Sequence, residues 1–223
     1  MKKLIFSSSF LLFISSFSFA HLRYFTFTYD WFTPVKGERE LELWWTQREG
    51  GTVTGLIEFE YGITDKYVIA PYLIFEREEG EMELIGWKVE QRYAIGEFEF
   101  NRILPALYFE VEREEDEYKL EAKAIGSYLP SEGNFVISAN LIAEKELEGD
   151  SEIEWGYAMG LAREFENGLS LGVEFFGDWE SNRHYYGPVA AWKIRAGTKL
   201  LATGGLPSNG GPALFRLLFE HEF

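Results

Sequence analysis

The sequence predicts an all-β fold: an antiparallel up-and-down transmembrane β-barrel of twelve strands, with both termini on the periplasmic side. Three observations predict it. From Gly37 onward, segments of about 10 to 14 residues alternate between apolar and polar side chains and are separated by short turn clusters, the pattern of strands with one lipid face and one lumen face. After residue 20 no apolar run is long enough for a membrane-spanning helix. The number of segments is even, which returns the end of the last strand to the side on which the first begins.

The N-terminus comes first in order. Met1-Lys2-Lys3 precedes an apolar, serine-interrupted run from Leu4 to Phe19 that closes on Ser18-Phe19-Ala20. A basic start, a short apolar core and small residues at the third-last and last positions describe a secretory signal peptide, residues 1–20, cleaved to leave His21 as the first mature residue. The chain has no cysteine, which excludes a lipidated N-terminal Cys and any disulfide framework. Its formal charge is −16, more negative still without Lys2 and Lys3, and argues against nucleic acid as a partner. An aromatic content of 17% separates it from disordered acidic chains.

Residues 21–36 do not alternate. They hold Tyr24, Phe25, Phe27, Tyr29, Trp31 and Phe32, then Pro34, and read as an extended lead-in, an edge segment or a segment lying in the lumen. Residues 37–223 form the barrel, with strands expected near 38–48, 53–62, 66–76, 82–95, 102–113, 117–128, 135–147, 152–164, 168–179, 183–194, 197–205 and 213–223. Glu49-Gly50-Gly51, Gly62-Ile63-Thr64-Asp65, Glu148-Gly149-Asp150 and Asn167-Gly168 supply turn chemistry between them. The third segment is apolar on both faces, from Val68 to Ile74, so its orientation is open. Pro71, Pro105 and Pro188 fall inside strands and are expected to mark bulges or local breaks. The eleventh segment is short and Gly-rich.

Parity assigns the faces. The outward sets include Leu41-Leu43-Trp45, Ile57-Phe59-Tyr61, Leu107-Phe109-Val111 and Leu169-Leu171-Val173-Phe175. Charges of that parity, Arg39, Glu83, Arg113, Lys145 and Arg163, sit near strand ends. This is as required if an Arg or Lys on the lipid face at mid-bilayer costs about 2–4 kcal/mol. The lumen-lining candidates on the first strands are Glu40, Glu42, Glu58 and Glu60, followed by Lys88, Glu90 and Arg92. Next come Glu110 and Glu112, then Lys119, Glu121 and Lys123. The later strands add Glu144, Glu152, Glu154, Glu174, Arg216 and Glu220. Carboxylates two residues apart share one face of a strand, and acids outnumber bases on this parity, so an acidic, cation-preferring lumen is expected. The alternative is a salt-bridged wall that closes the lumen.

The last stretch, Ala213 to Phe223, alternates Phe215, Leu217, Phe219, His221 and Phe223 against Arg216, Glu220 and Glu222. A closing strand that stops on Phe resembles the C-terminal signature of bacterial outer-membrane barrels, and implies outer-membrane lipids and the assembly machinery as partners. The stretch Gly37-Glu38-Arg39-Glu40-Leu41-Glu42, followed by Glu60-Tyr61-Gly62-Ile63-Thr64-Asp65-Lys66, resembles the outer-membrane transporters of the MetA-pathway-of-phenol-degradation type and related barrels. Ile63 and Lys66 are conservative departures from that family's Tyr-Gly-Leu-Thr-Asp-Arg. The resemblance covers residues 37–75 and implies uptake of an unidentified small solute. It brings no catalytic or binding residues with it.

Enzymatic chemistry has little to rest on, and no enzyme, cofactor or metal is expected. The histidines are His21, His184 and His221. Ser181 with His184 is a local pair such as an outer-membrane lipid hydrolase would use, but a loop rich in Ser, Asn and His is common without catalysis and is the better reading. An N-terminal His21 can chelate copper through its amine and ring, but no second His sits at a recognisable spacing, so chance is the better reading. The run Glu114-Glu115-Asp116-Glu117 lacks EF-hand spacing and reads as solvated charge. The expectation is therefore an outer-membrane channel or transporter for small solutes. The alternatives are a structural or sensing barrel with a closed lumen, a lipid-modifying enzyme and a soluble periplasmic β-sandwich.

Overall fold

The computed structural model describes residues 23–223 apart from 79, 133 and 150; the expected signal peptide and His21 lie outside the described residues. The strands are β1 (Arg39–Arg48), β2 (Val53–Thr64), β3 (Tyr67–Glu78), β4 (Glu81–Ala94), β5 (Ile103–Glu114), β6 (Glu117–Tyr128), β7 (Phe135–Glu146), β8 (Glu154–Glu164), β9 (Leu169–Asp178), β10 (Arg183–Arg195), β11 (Thr198–Pro207) and β12 (Leu214–Glu222). Each pairs antiparallel with its neighbours in sequence, and β1 pairs with β12. Closure removes both sheet edges and with them the two-layer sandwich alternative. Phe223 donates its amide to the Arg39 carbonyl at 3.0 Å, so the end of β12 meets the start of β1 at one rim, called here the terminal rim.

Side-chain alternation fixes which face is in. On β2, Glu58 and Glu60 are fully buried while Ile57 and Phe59 are exposed. The outward surface is apolar at mid-strand, where Leu43, Ile57, Leu73, Leu107, Leu141, Met159 and Val173 are exposed. Aromatic residues flank that band. Tyr93, Trp192 and Phe223 lie toward the terminal rim, and Tyr118, Trp155, Trp179 and Tyr186 toward the opposite rim. An exposed apolar belt between aromatic girdles suits a hydrocarbon surround. No helix among the described residues is long and apolar enough to cross a membrane.

Local features follow from sequence, with corrections. β3 turns Val68, Ala70, Tyr72 and Ile74 inward and exposes Leu73, so it gives the lumen an apolar strip. The prolines make no bulges. Register slips instead between Gly62 and Thr64, Ile74 and Phe75, and Lys193 and Arg195. At Pro71 and Pro188 the register is kept on both sides while the ladder to one neighbour lapses, because proline lacks the donor but still fits an extended backbone. The Gly-rich eleventh segment is a full strand pressed against β10. A Cβ on Gly187 would lie 1.5 Å from the Gly204 carbonyl oxygen.

Candidate functional site

The interior is occupied by the segment before β1. It enters from the terminal rim, reaches mid-depth at residues 26–29 and turns back through Arg23 and Tyr24. Entry is shaped by the β2–β3 turn. Gly62 has no Cβ where one would sit 2.1 Å from the Val35 carbonyl oxygen, and the Asp65 carboxylate accepts the Lys36 amide at 3.2 Å. The Gly-Ile-Thr-Asp turn thus steers the segment inward.

Because the segment has no strand partner, its backbone groups need side chains from the wall. Glu174 on β9 accepts the amides of Phe27 and Thr28, both at 2.9 Å, and of Thr26 at 3.2 Å, together with the hydroxyls of Thr26 and Thr203. Asn140 on β7 brackets Tyr29 as a strand would, accepting its amide at 2.7 Å and donating to its carbonyl at 2.8 Å. Ser127 accepts the Trp31 amide. Arg23 donates to both oxygens of Glu42 at 3.1 Å, and Tyr24 donates to Glu164. Arg216 donates to the Thr26 carbonyl and lies over the Phe27 ring, 3.8 Å from its centre.

Apolar contacts complete the fit. Phe25 is fully buried among Leu104, Leu129, Val136, Ala162 and Val189, opposite Gly160. A Cβ there would come within 2.4 Å of the Phe25 ring. Phe27 stacks on Phe176 with ring centres 3.8 Å apart, and Tyr185 stacks on Phe176 at 5.3 Å. Asp30, on the segment itself, accepts the Phe32 amide. Burial pushes its carboxyl up to about 7, against the opposing pull of Arg23, Arg92 and Lys199.

The segment divides the lumen. Thr26, Phe27 and Tyr29 form the floor of a vestibule of about 400 Å³ facing the opposite rim. Toward the terminal rim, a cavity lined by Arg23, Tyr24, Glu164, Ser170, Lys193 and Lys199 holds about 10 Å³, room for one water at most. Charge is divided too. The vestibule is lined by six bases (Arg48, Lys88, Lys119, Lys123, Arg183, Arg216) and five acids (Glu110, Glu112, Glu121, Glu144, Asp178). Ion pairs join Lys88 to Glu110 at 2.8 Å, Lys119 to Glu112 and Glu144 at 3.2 and 3.4 Å, and Lys123 to Glu121 at 3.0 Å. The carboxylate excess lies below the floor, where Glu40, Glu42, Glu58, Glu60, Glu90, Glu174 and Glu220 are all buried. Their basic partners there are Arg23, Arg92 and Lys199.

Of the lumen candidates, Glu152 needs correction: it is exposed in the connection before β8, whereas Glu154, paired with the vestibule residue Glu144, keeps the inner face but is exposed at the rim as the strand's first residue. β8 begins later than its alternation suggests because the Ser151–Ile153 stretch stays outside the ladder with β7, whose last pair is Glu144 with Glu154. Asn140, Arg23, Ser127 and Lys199 are not among the lumen candidates read from the sequence, since uncharged side chains and residues outside regular alternation do not stand out there. Ser181 and His184 do not bond to each other. The Ser181 hydroxyl accepts from Arg183, and the His184 ring bonds the Tyr157 hydroxyl at 3.3 Å. His221 bonds Thr198 at 2.9 Å.

The closed barrel with this strand order invites comparison with solved structures. The COG4313 outer membrane channel from Pseudomonas putida F1 superposes with a TM-score of 0.68 at 10% identity, covering 87% of this chain and 98% of that one. The KdgM porin, solved in complex with disordered oligogalacturonate, gives 0.64 at 11% identity over 82% and 99%. Acinetobacter baumannii outer membrane protein Omp33 gives 0.55 at 13% over 86% and 100%. The fold is that of outer-membrane channels. At these identities the likeness is one of fold alone. No family model and no curated protein matches the sequence, so membership of the phenol-degradation transporter family is not shown.

Proposed function

We propose that this chain is a bacterial outer-membrane channel for small solutes, closed at rest by its own residues 23–36. The observation that supports it is how the segment is held. It crosses the lumen with no strand partner, and its backbone is satisfied by a few wall side chains, chiefly Glu174 and Asn140. A segment fixed this way can withdraw without unpairing any strand of the barrel. Withdrawal would join the vestibule to the acid-rich lower lumen, and the open channel would then prefer cations. Exported and assembled through β12, the barrel would sit with its terminal rim toward the periplasm. A relationship to the phenol-degradation transporters rests on the Tyr61-Gly62-Ile63-Thr64-Asp65-Lys66 resemblance alone.

Planar-bilayer recording tests the reading. The native protein should be quiet with brief openings, and Glu174→Ala combined with Asn140→Ala should raise open probability at least tenfold with a reversal potential on the cation side. The ion-paired vestibule favours a second reading, a permanently closed structural or sensing barrel. A double variant that folds yet stays silent would select it.

A further inference from the structure

We propose that Glu42, Glu58 and Glu60 hold a divalent cation of the calcium class inside the barrel wall. The inference goes beyond conduction, since the site exists with the segment in place.

The register of β1 and β2 sets Glu42 opposite Glu58 and Glu40 opposite Glu60, and Glu220 of β12 faces Glu42 from the other side. Like charges directly across a ladder repel, and carboxylates without exposure need compensation. Some is present. Arg23 binds Glu42, Arg92 binds Glu60 through Oε1, and the Trp44 indole N–H donates to Glu58 Oε2 at 3.0 Å. Glu58 Oε1 and Glu60 Oε2 nevertheless have no hydrogen-bond partner, although both residues are at 0% exposure.

The geometry suits one ion. Glu42, Glu58 and Glu60 each offer an oxygen, and these atoms all lie within 4.8 Å of one another. Oxygens bound to a single Ca²⁺ at about 2.3–2.6 Å cannot be further apart than about twice that distance. An all-carboxylate set with no sulfur or imidazole selects a hard cation. Ca²⁺ fits better than Mg²⁺, because Ca²⁺ accepts irregular carboxylate arrangements whereas Mg²⁺ demands near-ideal octahedra and keeps its waters. Two positive charges at this point would offset the acid excess that Arg23 and Arg92 leave, Arg92 being shared with Glu90.

The site is sealed, so the ion enters at folding, and the test begins with the full mature chain refolded in detergent after chelation. Refolded with Tb³⁺ as probe and excited at tryptophan, it should show saturable emission from one ion per chain, sensitised through Trp44 and displaced by Ca²⁺ included during refolding. Glu58→Gln should reduce that emission at least fivefold, while Glu115→Gln, in an exposed turn, should leave it unchanged. Equal emission from folded Glu58→Gln, or emission that Ca²⁺ does not displace, overturns the site. Elemental analysis of native protein refolded in Ca²⁺ and exhaustively dialysed gives a readout that needs no variant. One retained ion per chain supports the site. None retained means that a proton shared between Glu42 and Glu58 relieves the repulsion instead. A silent bilayer leaves this result intact, and an empty site leaves the channel reading intact.

Discussion

At the scale of single residues, Glu174 anchors the segment that lies in the lumen. Its two oxygens accept three consecutive backbone amides, and a hydrogen bond to a charged acceptor contributes about 1.5–3 kcal/mol. Glu174→Ala leaves those amides without an acceptor in a buried setting. A cysteine placed at Thr28 should then react with a membrane-impermeant maleimide at least ten times faster than in the parent, and equal rates would show that the segment is held elsewhere. Gly160 acts by absence, since any side chain there meets the Phe25 ring. Asp30 adds a pH dependence whose sign follows from its burial. Its folded-state carboxyl titrates near 7 against an ordinary 3.8, so the folded state keeps a proton that the unfolded chain has released between those values. The stabilisation is complete below about pH 4 and is lost as pH rises to about 7. Asp30→Asn should flatten this part of the denaturation midpoint against pH, and a slope identical to the parent's would remove Asp30 as its source.

At the scale of elements, each strand separates two solvents. Leu107 is 53% exposed near the middle of β5, while Glu110 on the same strand is 3% exposed in the interior. Leu107→Arg should cost about 2–4 kcal/mol of unfolding free energy in lipid vesicles, the range for a cation at mid-bilayer. Measured by denaturant titration, a loss below about 0.5 kcal/mol would place Leu107 outside the hydrocarbon. The same alternation made the strands legible. The predicted 117–128 and the observed Glu117–Tyr128 coincide, and every other end falls within two residues. Misplaced boundaries have local causes. Glu152 shares the parity of its strand but lies before the ladder begins, and parity says nothing about where hydrogen bonding starts.

At the scale of the molecule, closure is the decisive property. The seam between β1 and β12 sets Trp45 directly across from Leu217. Directly opposed strand positions are close enough for a disulfide, and the chain has no other cysteine. A Trp45→Cys, Leu217→Cys variant should therefore oxidise to a single intramolecular bond visible as a mobility shift on non-reducing gels. Failure under oxidant in folded protein would mean the seam is open. Closure also explains why charge is unevenly useful. The vestibule presents nearly balanced ion pairs to a solute, whereas the acid excess sits behind the floor made by Thr26, Phe27 and Tyr29.

The sequence by itself determined the strands, their number, their antiparallel order and which side chains share a face, because period-2 alternation and turn residues act over a few positions. It also put Arg216 and the glutamate doublets on one parity. Only the tertiary structure decided where residues 23–36 lie and that they occupy the lumen. The segment has no alternation of its own, and its partners are remote in the chain: Asn140 is 111 positions from Tyr29, Glu174 is 147 from Phe27 and Arg216 is 190 from Thr26. Such contacts form because the closed wall buries backbone amides that have no strand partner of their own. Their acceptors are whichever wall side chains the barrel's closure brings opposite them.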